Sequence, residues 1–473
     1  MGMKSHATTA QARTAPTASR SLRKPPRLKG GFPFIGHTID FARDPVGLLQ
    51  RAYEECGRVA QFKLFGKSVT LFTGPEAHES LFRLPDEVLS PTEAYKMMIP
   101  VFGKGVVYDT TPERMYEQLH MMHPALRHNR MRTYTDIIAD ETNKMIAGWG
   151  DMGQIEVCEF FGTLTSFTSS RCLLGEEFRN EMSEEFARVY ADLEAGIVPI
   201  AYINAHLPIP AFRRRDAARK RLGEMVSTIV ERRRARGVSG EDFTQTLMES
   251  KYSDGSMLTD HEITGILIAN MFAGHHTSSV TTAWSLLELI RAPDYYDEVR
   301  AEVRTRFAES EEYGFSAMRD LERTEWAIKE ALRIHPPLFM LFRAAMQDCE
   351  ILDYQIKKGD WVSVSPIVAH REDAVFRNAL EYDPDRYGPG REEDRVPFAY
   401  VSFGGGRHKC LGNAFALLQM KTIMAVLLNN YDFELVGDPI TTDFGRVVLG
   451  PKPPINVRYR KRQKGKDDAR VSA

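Results

Sequence analysis

Cysteine is scarce in this chain, five among 473 residues, and none of the five (Cys56, Cys158, Cys172, Cys349, Cys410) forms a CxxC or CxxCH pair. That excludes zinc ribbons, covalent c-type haem attachment and a disulfide-stapled secreted framework. It is the usage of an intracellular, reduced protein. Surplus charge is lacking too. With 62 Lys and Arg against 64 Asp and Glu, the formal net charge is −2, which makes no electrostatic case for a nucleic-acid partner. No run approaches the roughly 18 to 20 apolar residues of a membrane span; the best, Gly265–Gly274, suits a buried core helix. Gly66-Lys67-Ser68 lacks the glycine at position 61 that a P-loop needs. His261-Glu262 meets Gly265 where H-E-x-x-H needs a second histidine, which removes a metalloprotease.

What is present is an ordinary globular composition, 43% hydrophobic and 27% charged, long enough to bury a large core. No repeat, low-complexity linker or composition shift marks a domain break, so residues 30–460 read as one domain. Residues 1–29 carry seven basic residues before the first acid, Asp40, and read as a disordered leader or a transit peptide. The basic run Arg458–Lys466 reads as a solvated tail, with residues 461–473 a polar tail or linker. Arg58–Phe65 and Ser68–Thr73 predict a hairpin turning at Gly66-Lys67. Helical patterns dominate from Pro112 to His335. A second β section, Glu350–Ile367, surrounds Lys358-Gly359-Asp360, and the loop Asp383–Gly406 precedes a helix after Leu411. The fold class is mostly α with a smaller β region.

One helix stands out. Thr259-Asp260-His261-Glu262 is a capping box, and Pro293 stops the helix after Arg291. Its middle is apolar on every side, as in a helix through the centre of a large protein. Yet there sit Ala273-Gly274-His275-His276-Thr277-Ser278. Buried polar groups need partners; a packing glycine with back-bonded hydroxyls is one reading and a functional site the other.

The deciding segment is Phe403-Gly404-Gly405-Gly406-Arg407-His408-Lys409-Cys410-Leu411-Gly412. Glycines around a cysteine just before a helix let the backbone approach a flat ligand and aim N–H groups at sulfur. A thiolate so placed has a lowered pKa and is a strong metal ligand. At this composition F-x-x-G-x-x-x-C-x-G should occur by chance about 0.0014 times. Here the chain resembles the cytochrome P-450 family, whose haem is held by cysteine thiolate. Glu330-Ala331-Leu332-Arg333 matches the family's E-x-x-R, Pro384-Asp385-Arg386-Tyr387 the segment whose arginine completes a Glu-Arg-Arg triad, and Ala273–Ser278 the oxygen-binding kink. Two further features look like the sterol 14α-demethylases within that family: His276 and His408 replace the usual acid and arginine, and Tyr95–Val106 reads Y-x-x-x-x-P-x-F-G-x-x-V.

The resemblance implies a single haem-thiolate monooxygenase domain of the P-450 fold, with haem between the central helix and the cysteine loop. Cys410 would ligate the iron of haem b. Tyr95, His120, Arg343 and His408 would bind the haem propionates, His120 alternatively being a plain exposed or capped histidine. Glu330, Arg333 and Arg386 would be structural. Thr277, with Gly274 one turn earlier, would handle oxygen, and His276 would relay protons or only hydrogen-bond locally. Glu194, in Leu193-Glu194-Ala195-Gly196, would gate His276. Met97, Met98, Phe102, Tyr108, Ala273 and Leu338 would contact substrate.

The implied reaction removes a sterol 14α-methyl in three oxidations using O2, with electrons from NAD(P)H through a separate ferredoxin or flavoprotein. Arg407, Lys409, Arg127, Arg130 and Arg132 would form its docking face. Lanosterol or a 4α-monomethyl sterol is the expected substrate, azoles would bind the iron, and the protein would be a soluble, cytoplasmic monomer without a membrane anchor. Another terpenoid or steroid substrate, or a non-catalytic haem sterol sensor, are the alternatives. A sensor would have no use for Thr277 and His276.

Overall fold

A computed structural model describes residues 22–180, 183–237, 242–437 and 440–463. The central helix spans Asp260–Arg291. Its capping box closes as expected: Glu262 N–H donates to Thr259 Oγ1 (3.2 Å), and Thr259 N–H to the Glu262 carboxylate (2.8 Å). Pro293 opens the next helix, Pro293–Arg306. The first half of the central helix (Ile263, Ile266, Leu267, Met271) shares one apolar cluster with Phe212, Leu222 and Val226 of helix Pro210–Arg236. The second half (Trp284, Leu286, Leu287, Leu289) shares another with helices Val157–Leu173 and Asn413–Asn430. Burial of each such side chain contributes about 1.5–3 kcal/mol, so the helix is pinned from both ends.

Strands form a smaller region beside this bundle. A five-stranded sheet runs in the order Val59–Leu64, Lys67–Phe72, Trp361–Val364, Leu341–Ala345, Leu89–Ser90. The Lys67–Phe72 and Trp361–Val364 strands are parallel and the other neighbours antiparallel. The hairpin turns at Phe65-Gly66, one residue earlier than expected, because Leu64 pairs with Lys67. Both turn residues have positive φ (52° and 77°), as two-residue hairpin turns require. Phe65 is held there by a 5.5 Å ring stack on Tyr202.

The termini correct the sequence reading. Arg458–Lys461 is no solvated tail. It lies in strand Asn456–Lys461, the middle of a three-stranded sheet between Met152–Glu156 and Tyr431–Val436. Val457 and Tyr459 point inward, 0% and 8% exposed, while Arg458 and Arg460 alternate outward. Charge on the outer face masked a period-2 strand. Residues 22–29, assigned to the leader, are also held: Arg23 bridges to Tyr354, Arg27 to Gln61, and Leu28 is buried. The rest of the leader, 1–21, and of the tail, 464–473, lies outside the described residues. Among those described, no helix is long and apolar enough to cross a membrane.

Candidate active site

The cysteine loop is anchored by buried charge. Glu330, Arg333 and Arg386 are each 0% exposed. Arg333 donates from Nε and Nη2 to the two Glu330 oxygens (2.8 Å each), and Arg386 Nε donates to Oε1 (2.9 Å). Tyr387 Oη and Asp383 N–H complete the carboxylate's partners, both at 3.0 Å. Every lone-pair direction of the glutamate is thus used, the condition under which a buried ion pair is tolerated. Arg333 Nη1 also donates to the carbonyls of His370 and Ala379, both at 2.6 Å.

His370, which no motif pointed out, links this triad to the loop. Its Nε2 accepts from Val401 N–H (2.9 Å), which leaves the proton on Nδ1, facing the Arg333 carbonyl at 3.3 Å. Burial, then the charge of Arg333, brings its pKa down to about 3, so it is a neutral structural hinge. Ser402 Oγ donates to Leu332 O (3.0 Å). Two consecutive residues just before Phe403 are therefore tied to the E-x-x-R helix Glu322–Ile334 or its partner His370.

Beyond Phe403 the loop passes tightly over helix Pro75–Phe82. Gly406 has φ +63°, and a Cβ there would lie 2.1 Å from the Phe82 carbonyl oxygen, so no other residue fits. Cys410 N–H donates to Phe403 O (2.8 Å) and closes the loop. Burial pushes the Cys410 thiol up, while the Gly412 amide and Lys409 act in the opposite sense. The residue is nonetheless solvent-accessible. Its surroundings are dense enough to desolvate the sulfur yet leave the residue open to a ligand.

The central helix supplies the facing surface. Ala273 is exposed in mid-helix, and Ala269, His276, Thr277 and Val280 are half-buried, whereas Met271, His275, Ser278 and Ser279 are buried. The open residues recur every three to four positions, one stripe of the helix. Thr277 Oγ1 donates to the Ala273 carbonyl (2.6 Å). Leu338 is 38% exposed, as an apolar substrate contact would be. The segment stays α-helical through Ala273–Ser278 rather than breaking at a kink. Gly274 is closely packed: a Cβ there would lie 2.8 Å from Leu173 Cδ1 and 3.9 Å from the Phe415 ring, and its carbonyl accepts from Ser169 Oγ (3.2 Å). Through Phe415 that packing joins the helix after Cys410 to the central helix.

Cationic and hydroxyl donors gather at the rim. Arg343 is buried and donates to its neighbour's carbonyl, Phe342 O (2.8 Å). Tyr95 Oη accepts from Phe342 N–H (3.2 Å), and its ring stacks on Tyr108 at 5.3 Å. His408 Nε2 contacts Asp86 Oδ1 at 2.7 Å. Burial acts to raise the Asp86 pKa, but His408, Arg407 and Arg343 together hold it below the usual carboxylate value. Two arginines and an imidazole thus surround one protein carboxylate, and further anionic groups fit there. A flat metal macrocycle bearing two carboxylates meets its donor set: a thiol on one wall, an open helix stripe on another, cations and hydroxyls at the edge. Asp86 carried no sequence signal. His120 is not brought into this group; it is exposed, its ring 4.6 Å from His123 and 5.7 Å from Tyr116.

Met97, Met98 and Phe102 are buried in one apolar cluster with Met271 of the central helix. Their loop rests on that helix at Gly265, where a Cβ would lie 2.3 Å from Phe102 O. Phe102 reaches Tyr108 (6.0 Å) and Phe272 (6.3 Å). On the helix, the rings of His275 and His276 stack at 4.6 Å, and both address Glu194: His276 Nε2 is 2.5 Å and His275 Nδ1 3.8 Å from Oε1. Burial would raise the Glu194 pKa, but the two histidines outweigh it and bring it down to about 2. Glu194 is therefore an ionised partner for His276 at neutral pH.

Comparison with known proteins agrees with this geometry. Residues 25–458 match the family model described as Cytochrome P-450. A sterol 14alpha-demethylase of Mycolicibacterium vanbaalenii is 42% identical, over 93% of this chain and 99% of its own. A sterol 14-demethylase of Arabidopsis thaliana is 38% identical over 94% and 93%, and a lanosterol 14-alpha demethylase of Bos taurus 36% over 95% and 90%. The solved structure of a retinoic acid-bound cyanobacterial CYP120A1 superposes with a TM-score of 0.82 at 23% identity, covering 93% of this chain and all of that one.

Proposed function

Because the chain belongs to the cytochrome P-450 family, we infer that it is a haem-thiolate monooxygenase that removes the 14α-methyl group of sterols. Three successive oxidations, each using one O2 and two electrons, take the methyl to alcohol, to aldehyde, and then to formate with a new 14,15 double bond. The observation that carries this reading is the Glu194–His276 contact on the open stripe of the central helix, beside Thr277.

Haem, held by Cys410 and by Tyr95, Arg343 and His408 at its carboxylates, supplies dioxygen activation when bound. Everything else falls to the chain. The Gly412 amide stabilises the Cys410 thiolate. Thr277 Oγ1, turned by the Ala273 carbonyl, presents a hydroxyl to the cleft. His276 takes a proton from solvent and passes it to the Thr277 side, and the ionised Glu194 favours the protonated ring by its charge. The aromatic wall Phe102–Tyr108–Phe272 excludes water from the methyl being oxidised.

Electrons come from a separate redox protein. Arg407 and Lys409, exposed on the cysteine loop itself, suit an acidic partner surface. A reducing, cytoplasmic setting suits five unpaired cysteines. Residues 22–463 act as a single monooxygenase domain in this reading. Incubation of the haem-loaded protein with a 14α-methyl sterol, O2 and a reducing partner should give formate and the 14,15-unsaturated sterol in equal amounts. A hydroxylated sterol that keeps its 14α-methyl would contradict the assignment.

Met97 bears on which sterols fit. Methionine is unbranched and polarisable, so it yields space that a rigid phenyl would deny to a second C4 methyl. One methyl in an apolar pocket is worth about 1–3 kcal/mol, roughly 10–200-fold. The protein should turn over 4,4-dimethyl and 4-monomethyl sterols within about tenfold of each other, and Met97→Phe should restore discrimination against the second methyl. Competition between lanosterol and a 4α-monomethyl sterol checks this. Strong exclusion of either by the unmodified protein would show that Met97 does not set the preference.

A further inference from the structure

Glu194, His275 and His276 offer three ligand atoms that all lie within 4.8 Å of one another. Neighbouring residues on a helix diverge by about 100°, yet these two rings stack and turn to one carboxylate. The tautomer of His275 is set by its other nitrogen. Nε2 donates to the Gly162 carbonyl at 2.9 Å, so Nδ1 carries a free lone pair. That Nδ1 is buried without a hydrogen-bond partner, as is Glu194 Oε1, whose contact with His276 is close but not aligned as a hydrogen bond. A histidine whose remote N–H is fixed on a backbone carbonyl is the usual state of a metal-bound imidazole.

We propose that Glu194, His275 and His276 form a site for a borderline divalent metal ion, Zn2+ in the first instance, and that filling it blocks the proton relay. Three ligands from two histidines and one carboxylate, with a fourth position left to water, make a common zinc set. At zinc–ligand distances of about 2.0–2.2 Å, tetrahedral ligand atoms stand roughly 3.3 Å apart. The observed separations of 2.5 and 3.8 Å bracket that spacing, and rotation of the half-buried His276 ring closes the difference. The Tyr190 hydroxyl, also buried without a hydrogen-bond partner, lies close enough to Glu194 to feel its charge. His276, open to the cleft, gives the ion its way in. An ion here takes the lone pairs that the relay uses. Binding follows from the cluster alone; inhibition rests on the function proposed above.

Calorimetric titration of Zn2+ into the haem-loaded protein tests both parts. One site should appear in the unmodified protein. It should weaken at least tenfold in His275→Gln, which keeps a donor for the Gly162 carbonyl, and likewise in Glu194→Gln, while His120→Ala leaves it intact. Zn2+ should slow sterol turnover of the unmodified protein, reversibly with a chelator, and slow His275→Gln far less relative to its own uninhibited rate. If both His275→Gln and Glu194→Gln bind Zn2+ as tightly as the unmodified protein, the site proposal is wrong. If the site binds as described and turnover is unaffected, the site stands and the relay role of His276 falls.

Discussion

Replacing His276 by alanine should lower sterol turnover by about 10²–10⁴, the usual share of a positioned proton donor, while sterol affinity changes by no more than a few-fold. The open stripe of the central helix is otherwise lined by Ala269, Ala273 and Val280, with Thr277 as its hydroxyl. His276 is the titratable group on that stripe, and the ionised Glu194 is its contact. Removing the ring cuts the proton route and leaves the apolar wall of Met97, Phe102 and Tyr108 in place. Glu194→Gln keeps an acceptor but removes the charge, so its turnover should fall less than that of His276→Ala. Spectral titration with sterol, set beside kcat, separates the two effects. Equal losses of affinity and kcat would make His276 a packing or substrate residue.

Loss of one member of the Glu330–Arg333–Arg386 triad should cost about 3–5 kcal/mol, because the remaining charges stay buried with part of their pairing removed. Arg386→Leu takes one cation from Glu330, which keeps Arg333, and one from Glu393, which keeps Arg391 and which Arg386 Nη1 contacts at 2.6 Å. Since His370 and Val401 hang on the same network, the damage should reach the cysteine loop. Arg386→Leu should unfold at lower denaturant concentration and retain little haem. Arg386→Lys should rescue only part, since an ammonium lacks the planar fork that serves Glu330, Glu393 and the Arg377 and Glu381 carbonyls at once. A Lys variant with full haem content and an unchanged unfolding curve would contradict this account of the loop.

The parts of the molecule that were legible beforehand are those whose signal is local. The capping box at Thr259, the all-round apolar pattern of the central helix, the glycines flanking Cys410 and the Glu330–Arg333 spacing each state their geometry within a few residues. The strand at Asn456–Lys461 was hidden because its partners, Met152–Glu156 and Tyr431–Val436, lie elsewhere in the chain and its outward positions are basic. Gly274 was singled out by the Ala273–Ser278 motif, whereas the close fit of its missing side chain to Leu173, a neighbour from another helix, appears only in the fold. Asp86 and His370 are single residues without a motif. Their importance comes from contacts across 322 and 31 positions, with His408 and Val401. Glu194 was reached from the resemblance of Leu193–Gly196, together with its pairing to His276, and its second histidine, His275, emerges only when the chain folds.

The central claim is that the cleft between Ala273 and Cys410 holds haem through the Cys410 thiolate. Carbon monoxide added to the reduced, purified protein tests it most directly, because the absorption of the carbonyl complex reports whether a thiolate would hold the iron. The unmodified protein should show the thiolate–carbonyl spectrum and Cys410→Ala should lose it. A thiolate–carbonyl spectrum that survives in Cys410→Ala, or its absence from the haem-loaded unmodified protein, would contradict the account.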